Sequence, residues 1–278
     1  MESQLTAEIP DYERYDYSLV WRGRDIEDRA EKELVRRWAA ASTGKESALD
    51  LGGGFGRITR VLEPYFEKVF MVDYSLAALK RAARTLGKST LVRSSLERLP
   101  FEDSTFDFLT MVRVMQHIPW PDRLLSEVAR VGRPGGTFVL GIANEAFTGY
   151  GNVHEHTLGW TTPEGHRVYV TPLSRYGSAA LKRQEVRGVG AFDNRLGRRL
   201  GRMPYLSGLD VATARLWPLK TMLFARFTIE KEGTFNRPAV VCGCGGRVEG
   251  GRCASCGREY SGRILDLIAG QEEGTVAR

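Results

Sequence analysis

No stretch of this chain carries an unbroken apolar run approaching the roughly 20 residues a bilayer span needs. Its start lacks the basic-then-apolar pattern of a secretory leader, so a soluble cytoplasmic protein is the expectation. Internal repeats and low-complexity tracts are also missing, which sets solenoids and fibres aside. Cysteine is scarce: Cys242, Cys244, Cys253 and Cys256 all fall in one short window, so no disulfide framework spreads through the chain. Only four histidines (His117, His154, His156 and His166) are available for imidazole chemistry. What remains is ample: 278 residues with 42% hydrophobic content can bury one α/β domain and a small appendage.

The run Ala48-Leu49-Asp50-Leu51-Gly52-Gly53-Gly54-Phe55-Gly56-Arg57 is the most informative. A short apolar strand ends in acid and glycines, with Gly52, Gly54 and Gly56 at every second position. A helix-like stretch follows from Arg57 to Glu63 and stops at Pro64. Glycine permits a backbone with φ > 0 and lets a ligand approach without a Cβ in the way. Strand, glycine turn and helix start together form a nucleotide crevice in a doubly wound α/β fold. The dinucleotide pattern G-x-G-x-x-G is not met. Counted from Gly52 the third glycine falls on Arg57, and counted from Gly53 the second falls on Phe55. A second buried strand, Val69–Asp73, ends in an acid that can accept both ribose hydroxyls or cap the helical run Leu76–Leu86. Thr90–Arg93 reads as a third strand, and the turn Glu102–Thr105 leads into a fourth. Arg130–Leu140 reads as a helix end, a tight Pro-Gly-Gly turn and a fifth strand.

The D-x-G-x-G-x-G loop resembles the first motif of class I S-adenosylmethionine-dependent methyltransferases. The later stretches Glu97-Arg98-Leu99-Pro100-Phe101-Glu102-Asp103-Ser104-Thr105-Phe106-Asp107, His117-Ile118-Pro119 and Arg133-Pro134-Gly135-Gly136 are similar to the type 11 group of that family. The resemblance is strong over residues 45–143 and weaker through Thr161-Thr162-Pro163 and Val186–Phe192 to the strand Thr221–Glu230. It implies a doubly wound, seven-stranded, mostly parallel Rossmann-like sheet. It also implies S-adenosylmethionine as cofactor, held by Asp50, Gly52, Gly54, Gly56, Asp73, Ser95, Leu96 and Arg113. The family commonly has Gly-Asp where this chain has Ser94-Ser95, so a hydroxyl stands where a carboxylate accepts from adenine.

The net charge of +6 is concentrated. Between Pro172 and Arg202 eight basic residues (Arg175, Lys182, Arg183, Arg187, Arg195, Arg198, Arg199, Arg202) face two acids, Glu185 and Asp193. Such a segment is either a solvated face or an attractor of nucleic acid, anionic substrate or membrane surface, and no interleaved aromatics support base stacking. Arg24–Ala40 is an amphipathic helix with Ile26, Ala30, Leu34 and Trp38 at every fourth position. Tyr12, Tyr15, Tyr17 and Trp21 precede it, and no ligand contact is assigned to them. The expected organisation is an N-terminal lid and helix, 1–44, then the cofactor-binding domain, 45–235, with a substrate-side insertion and basic segment at 146–220. A ribbon at 238–268 and a flexible tail at 269–278 follow.

Cys242-Gly-Cys244 and Cys253-Ala-Ser-Cys256, each pair followed by glycine, read as a Cys₄ zinc ribbon. The window has few large apolar residues, so metal ligation is what would hold it together. This segment resembles the zinc module of the small activator proteins that partner tRNA and translation-factor methyltransferases. Four thiolates leave no open position, so the zinc is expected to be structural. The functional expectation is methyl transfer to a small-molecule acceptor, apolar or lipid-like. The alternative is an RNA or protein methyltransferase docking through segment 172–202 and the ribbon. The chain has Val112-Arg113-Val114-Met115 after strand four, not an Asn-Pro-Pro-Tyr type motif. His117, just past strand four, is the candidate general base. His154-Glu155-His156 lies in the insertion where such enzymes contact substrate.

Overall fold

A computed structural model describes residues 13, 16–144, 173–190, 206–216, 219–260 and 262–268, and the backbone alone of 159–161, 167–169 and 205. The expectations at Tyr12, Tyr15, His154–His156, Thr162-Pro163, His166, Phe192, the basic residues from Arg195 to Arg202 and the tail 269–278 lie outside the described residues.

A 3₁₀ turn, Tyr17–Trp21, precedes α1 (Asp25–Ala41), and β1 (Ser47–Leu51) leads through the glycine loop to α2 (Thr59–Leu62). β2 (Lys68–Asp73), α3 (Leu76–Ala83), β3 (Thr90–Arg93), β4 (Phe106–Val112) and a 3₁₀ turn at Met115–His117 follow. Then come α4 (Pro121–Val131), β5 (Gly132–Ala143), the short hairpin β6 (Gly159–Thr161) and β7 (Arg167–Tyr169), β8 (Leu181–Val189), α5 (Tyr205–Ala212) and β9 (Met222–Ile229). The cysteine segment holds β10 (Val240–Val241), β11 (Arg247–Glu249) and β12 (Arg252–Cys253), and β13 (Ile264–Asp266) closes the series.

The main sheet runs β13-β3-β2-β1-β4-β5-β9-β8. Every neighbouring pair is parallel except those of β9, which is antiparallel to β5 and β8. β1 and β4 are buried at every position, as central strands covered on both faces must be. Reversal of strand order at β1 and β4 makes the crevice beyond their C-terminal ends the place for a ligand. α1 buries Ile26, Ala30 and Leu34, and the fourth member of its stripe, Trp38, donates its indole N–H to Glu185 at 2.7 Å. The Pro-Gly-Gly segment is a bulge inside β5, not a turn before it. Gly132 pairs with Phe106, pairing resumes at Thr137 with Phe108, and Gly135 takes φ 74° to absorb the extra residues.

The expected seven strands gain an eighth. β13, which follows the cysteines, pairs in parallel with β3 along Ile264–Asp266 and covers that edge. The cysteine segment is continuous with the main core: Val240, Cys242, Cys253, Tyr260 and Leu267 pack with Leu99 and Phe101. Outside that contact Arg247 forms a two-pronged ion pair with Glu102 at 2.6 and 2.5 Å. The Leu99-Pro100-Phe101-Glu102 stretch is therefore the surface on which this segment sits. Among the described residues no helix is long and apolar enough to cross a membrane.

Candidate cofactor site and cysteine cluster

A cleft of about 1140 Å³, including its open mouth, lies beyond the C-terminal ends of β1, β2 and β4. Asp50, Gly52, Gly54, Asp73, Ser95, Leu96, Arg113 and His117 all line it, so seven of the eight expected cofactor residues converge with the candidate base. Gly56 does not. Its φ of 84° turns the chain toward α2, and a Cβ there would lie 2.9 Å from Leu86, so its smallness serves packing.

The loop itself is shaped by backbone conformation. Gly52 and Gly54 take φ 66° and 57°, which favours glycine. A Cβ on Gly52 would stand 2.5 Å from Val114, whereas one on Gly54 would enter open space. Gly54 donates its N–H to Asp73 Oδ2 at 2.8 Å, and Ser75 donates to Oδ1 at 2.9 Å. Asp73 thus ties the glycine loop to Ser75, the residue whose hydroxyl caps α3 by accepting the Ala78 N–H. Burial pushes the Asp73 carboxyl above its ordinary value, and the nearby charge of Glu13 adds to the push.

Asp50 sits under the loop, with Oδ2 accepting from the Thr59 hydroxyl and Oδ1 from the Thr110 hydroxyl, both at 2.7 Å. Burial pushes its pKa up to about 6, against those two hydrogen bonds. Ser95 Oγ accepts the Glu97 N–H at 3.1 Å, an ST-type turn that shapes the Ser94–Leu99 loop.

Arg113 has φ 62°, a left-handed conformation a non-glycine residue holds only where its surroundings impose it. The turn carries its guanidinium onto α1. Nη2 donates to Glu27 and to Glu31 Oε1, the latter at 2.7 Å, and Nε donates to the same Glu31 oxygen at 2.9 Å. Arg57 donates to Glu31 Oε2 and to Asp28, the latter at 3.0 Å. Both guanidiniums lie over the Trp21 ring, Arg57 at 3.7 Å and Arg113 at 4.9 Å from its centroid. Glu31 is fully buried. Desolvation acts to raise its pKa, but the two guanidiniums win and hold it below the usual carboxylate range. This cluster ties α1 and the Tyr17–Trp21 turn, whose Tyr17 and Ser18 line the cleft, to Arg57 and Arg113.

Several lining residues carried no sequence signal. Tyr74, Arg81 and Trp120 line the cleft from the end of β2, from α3 and from the turn before α4, while Asp16, Tyr17 and Ser18 reach it because the segment before α1, expected as a lid, folds across it, with Arg81 pairing Asp16 at 3.6 Å. Placement of that segment is a tertiary outcome, and a tyrosine in a linker looks the same whether it faces a ligand or water. Strand β7 lies against the Met115–His117 turn.

The four cysteine sulfurs lie within 4.8 Å of one another, Cys242 and Cys256 at 3.7 Å and Cys244 and Cys253 at 3.4 Å. None is disulfide-bonded. A tetrahedral zinc with Zn–S near 2.3 Å gives S–S edges of about 3.8 Å, so the donor set matches that ion in type, number and spacing. The glycines after each pair, Gly245 and Gly257, take φ 89° and 72°, and a Cβ on Gly246 would stand 2.7 Å from Cys253 Sγ. Tyr260 donates its hydroxyl to Cys242 Sγ at 3.0 Å. Burial works against the thiolate there, but the Cys244 N–H and the Tyr260 hydroxyl outweigh it and draw Cys242 down to about 6.

Comparison with known proteins completes the site. A family model described as a methyltransferase domain matches residues 49–140, from β1 through most of β5. Over that third of the chain the sequence is similar to a methyltransferase domain. Among curated proteins, the Mycobacterium tuberculosis phthiotriol/phenolphthiotriol dimycocerosates methyltransferase is 33% identical over 177 residues, covering 62% of this chain and 61% of that protein. The chain spans about 60% of the length of the mycobacterial relatives it matches. Two solved structures share the fold at 18% identity. A chain from the complex of the Haloferax volcanii Trm112 methyltransferase activator has TM-score 0.54, covering 78% of this chain and 96% of that one. The S-adenosylmethionine-dependent methyltransferase from Mesorhizobium loti has TM-score 0.53, covering 73% and 99%. Within the matched residues, the glycine loop, Asp73 and the Ser95-Leu96 loop stand at one cleft.

Proposed function

We propose that the protein transfers the methyl group of S-adenosylmethionine to a small apolar or lipid-like acceptor. The observation that carries this reading is the cleft itself: an open-faced glycine loop and Asp73 at one end, and Tyr17, Phe55, Leu96, Val114, Ile118 and Trp120 along its walls. Gly54 leaves room for the cofactor's backbone approach, Asp73 accepts the ribose hydroxyls, and Leu96 lies against adenine with Ser95 beside it. S-adenosylmethionine supplies a methyl already activated by a sulfonium. The protein's part is to align the acceptor atom in line with it, near 3 Å, and to exclude water. The apolar wall and the Tyr17–Trp21 turn do both. His117, on the cleft wall after β4, stands where a proton leaving an acceptor would be taken up. The printed name of the mycobacterial relative, a methyltransferase of dimycocerosates, supports an apolar acceptor class. We infer further that Cys242, Cys244, Cys253 and Cys256 hold one structural zinc, and that 45–235 and 238–268 are the catalytic domain and its ribbon.

Incubation with methyl-labelled S-adenosylmethionine and cell extract, split into organic-extractable, RNA and protein fractions, tests the reading. Label in the organic fraction that is lost in Asp73→Ala supports it. Nuclease-sensitive or protein-bound label would overturn the acceptor class and favour docking through segment 172–202.

A further inference from the structure

The strand after the cysteines does more than cover a sheet edge. Asp266 on β13 stands in register with Arg93 on β3, which stands in register with Asp73 on β2. Arg93 donates Nη1 to Asp266 at 3.2 Å, Nη2 to Glu13 at 3.3 Å and Nε to the Tyr74 carbonyl at 3.1 Å. Glu13 in turn accepts the Leu76 N–H at 2.7 Å and the Ala77 N–H at 3.1 Å, the first amides of α3. Those amides are unsatisfied within the helix and carry its positive end, so a carboxylate there is favoured. The same helix start holds Ser75, which donates to Asp73. At the other end of α3, Arg263, just before β13, donates to the carbonyls of Ala83, Leu86 and Gly87.

We propose that Arg93 is a positioning residue: it ties β13 to Glu13 and thereby sets the start of α3, and with it Asp73, for the cofactor. The inference rests on the reading of the cleft as the cofactor site. Its physics is a charge argument. Arg93 is the shared cation between Glu13 and Asp266 and stands one strand from Asp73. Without it these carboxylates repel, Glu13 leaves the helix amides, and the segment that closes the cleft loses its anchor. The cysteine segment would then govern cofactor affinity with no residue of its own in the cleft.

The test is calorimetry of S-adenosylhomocysteine binding to the full chain in Arg93→Met, Asp266→Asn and the double variant, with Asp73→Ala as control. Arg93→Met is expected to weaken binding about fivefold and Asp266→Asn about twofold, each ion pair being partly exposed. In the Arg93→Met background, Asp266→Asn removes one of two carboxylates left without their cation and should recover part of the lost affinity, a non-additivity that general destabilisation does not produce. Should Arg93→Met fail to fold, Glu13→Gln and its double variant with Asp266→Asn carry the same cycle. Unchanged affinity in the single variants, with binding abolished by Asp73→Ala, would overturn the inference and leave the cofactor reading standing. Strictly additive effects would overturn it too. A wild-type chain that binds no S-adenosylhomocysteine would overturn both.

Discussion

Replacing Glu31 by glutamine isolates the buried cluster that ties α1 to Arg57 and Arg113 on the cleft wall. Glu31 is fully buried and is the shared anion between Arg57 and Arg113, whose own side chains are 7% and 10% exposed. A charge pair at ~4 Å is worth about 4 kcal/mol at an effective dielectric near 20, and Glu31 makes two such pairs. Glutamine keeps the shape but leaves two guanidiniums over Trp21 with their shared anion gone. Removing one member of a buried ion cluster costs about 3–5 kcal/mol. With an unfolding entropy near 2.1 cal/mol/K per residue over 278 residues, about 4 kcal/mol lowers Tm by about 7 °C. The pH dependence has a defined sign. The folded pKa of Glu31 lies below its unfolded value of 4.5, so its contribution is present above about pH 4.5 and fades as pH falls through the folded value. Differential scanning calorimetry of both proteins at pH 7.5 and pH 3.5 reads this directly. A Tm for Glu31→Gln within 1 °C of wild type at pH 7.5, or a gap that widens in acid, would refute the reasoning.

Three further outcomes are expected. Gly54→Val and Asp73→Ala should each abolish S-adenosylhomocysteine binding, the first by filling the open space before a φ of 57°, the second by removing the ribose acceptor; circular dichroism should show both folded. Protein purified under reducing conditions should contain one zinc per chain by elemental analysis, and Cys253→Ser should lower both that content and Tm, because Cys253 also packs in the main core. Asp50→Asn should stabilise the ligand-free protein at pH 8 by ~2–3 kcal/mol, since an ionised carboxylate whose pKa is pushed from 3.8 to about 6 disfavours the folded state above pH 6; the gain should vanish by about pH 4, and thermal melts across that range check it.

Local signals carried much of the chemistry. Positive φ at Gly52 and Gly54 is a backbone demand that glycine spacing announces, and an acid at the end of a buried strand announces Asp73. The alternating small and thiol residues at 242–257 likewise predict sulfurs that converge, because a metal knuckle is built from near neighbours. Strand β3 and helix α1 came from short-range patterns of branched and periodic apolar residues, and match to within one residue at each end.

What the sequence by itself determined, then, is what a few consecutive residues can dictate: the glycine loop, the acid after β2, the thiol cluster and the order of elements. Contacts across long separations were decided by tertiary structure alone. Arg113 lines the cleft as its place after β4 suggests, but only the fold shows that its left-handed turn also sends the guanidinium to Glu31, 82 residues back. Gly56 reads as part of the cofactor loop, yet it exists to let Leu86 approach. Nothing near Ile264–Asp266 marks a strand that joins β3 in the main sheet, since a three-residue edge strand is defined by its partner's open hydrogen bonds and not by its own composition.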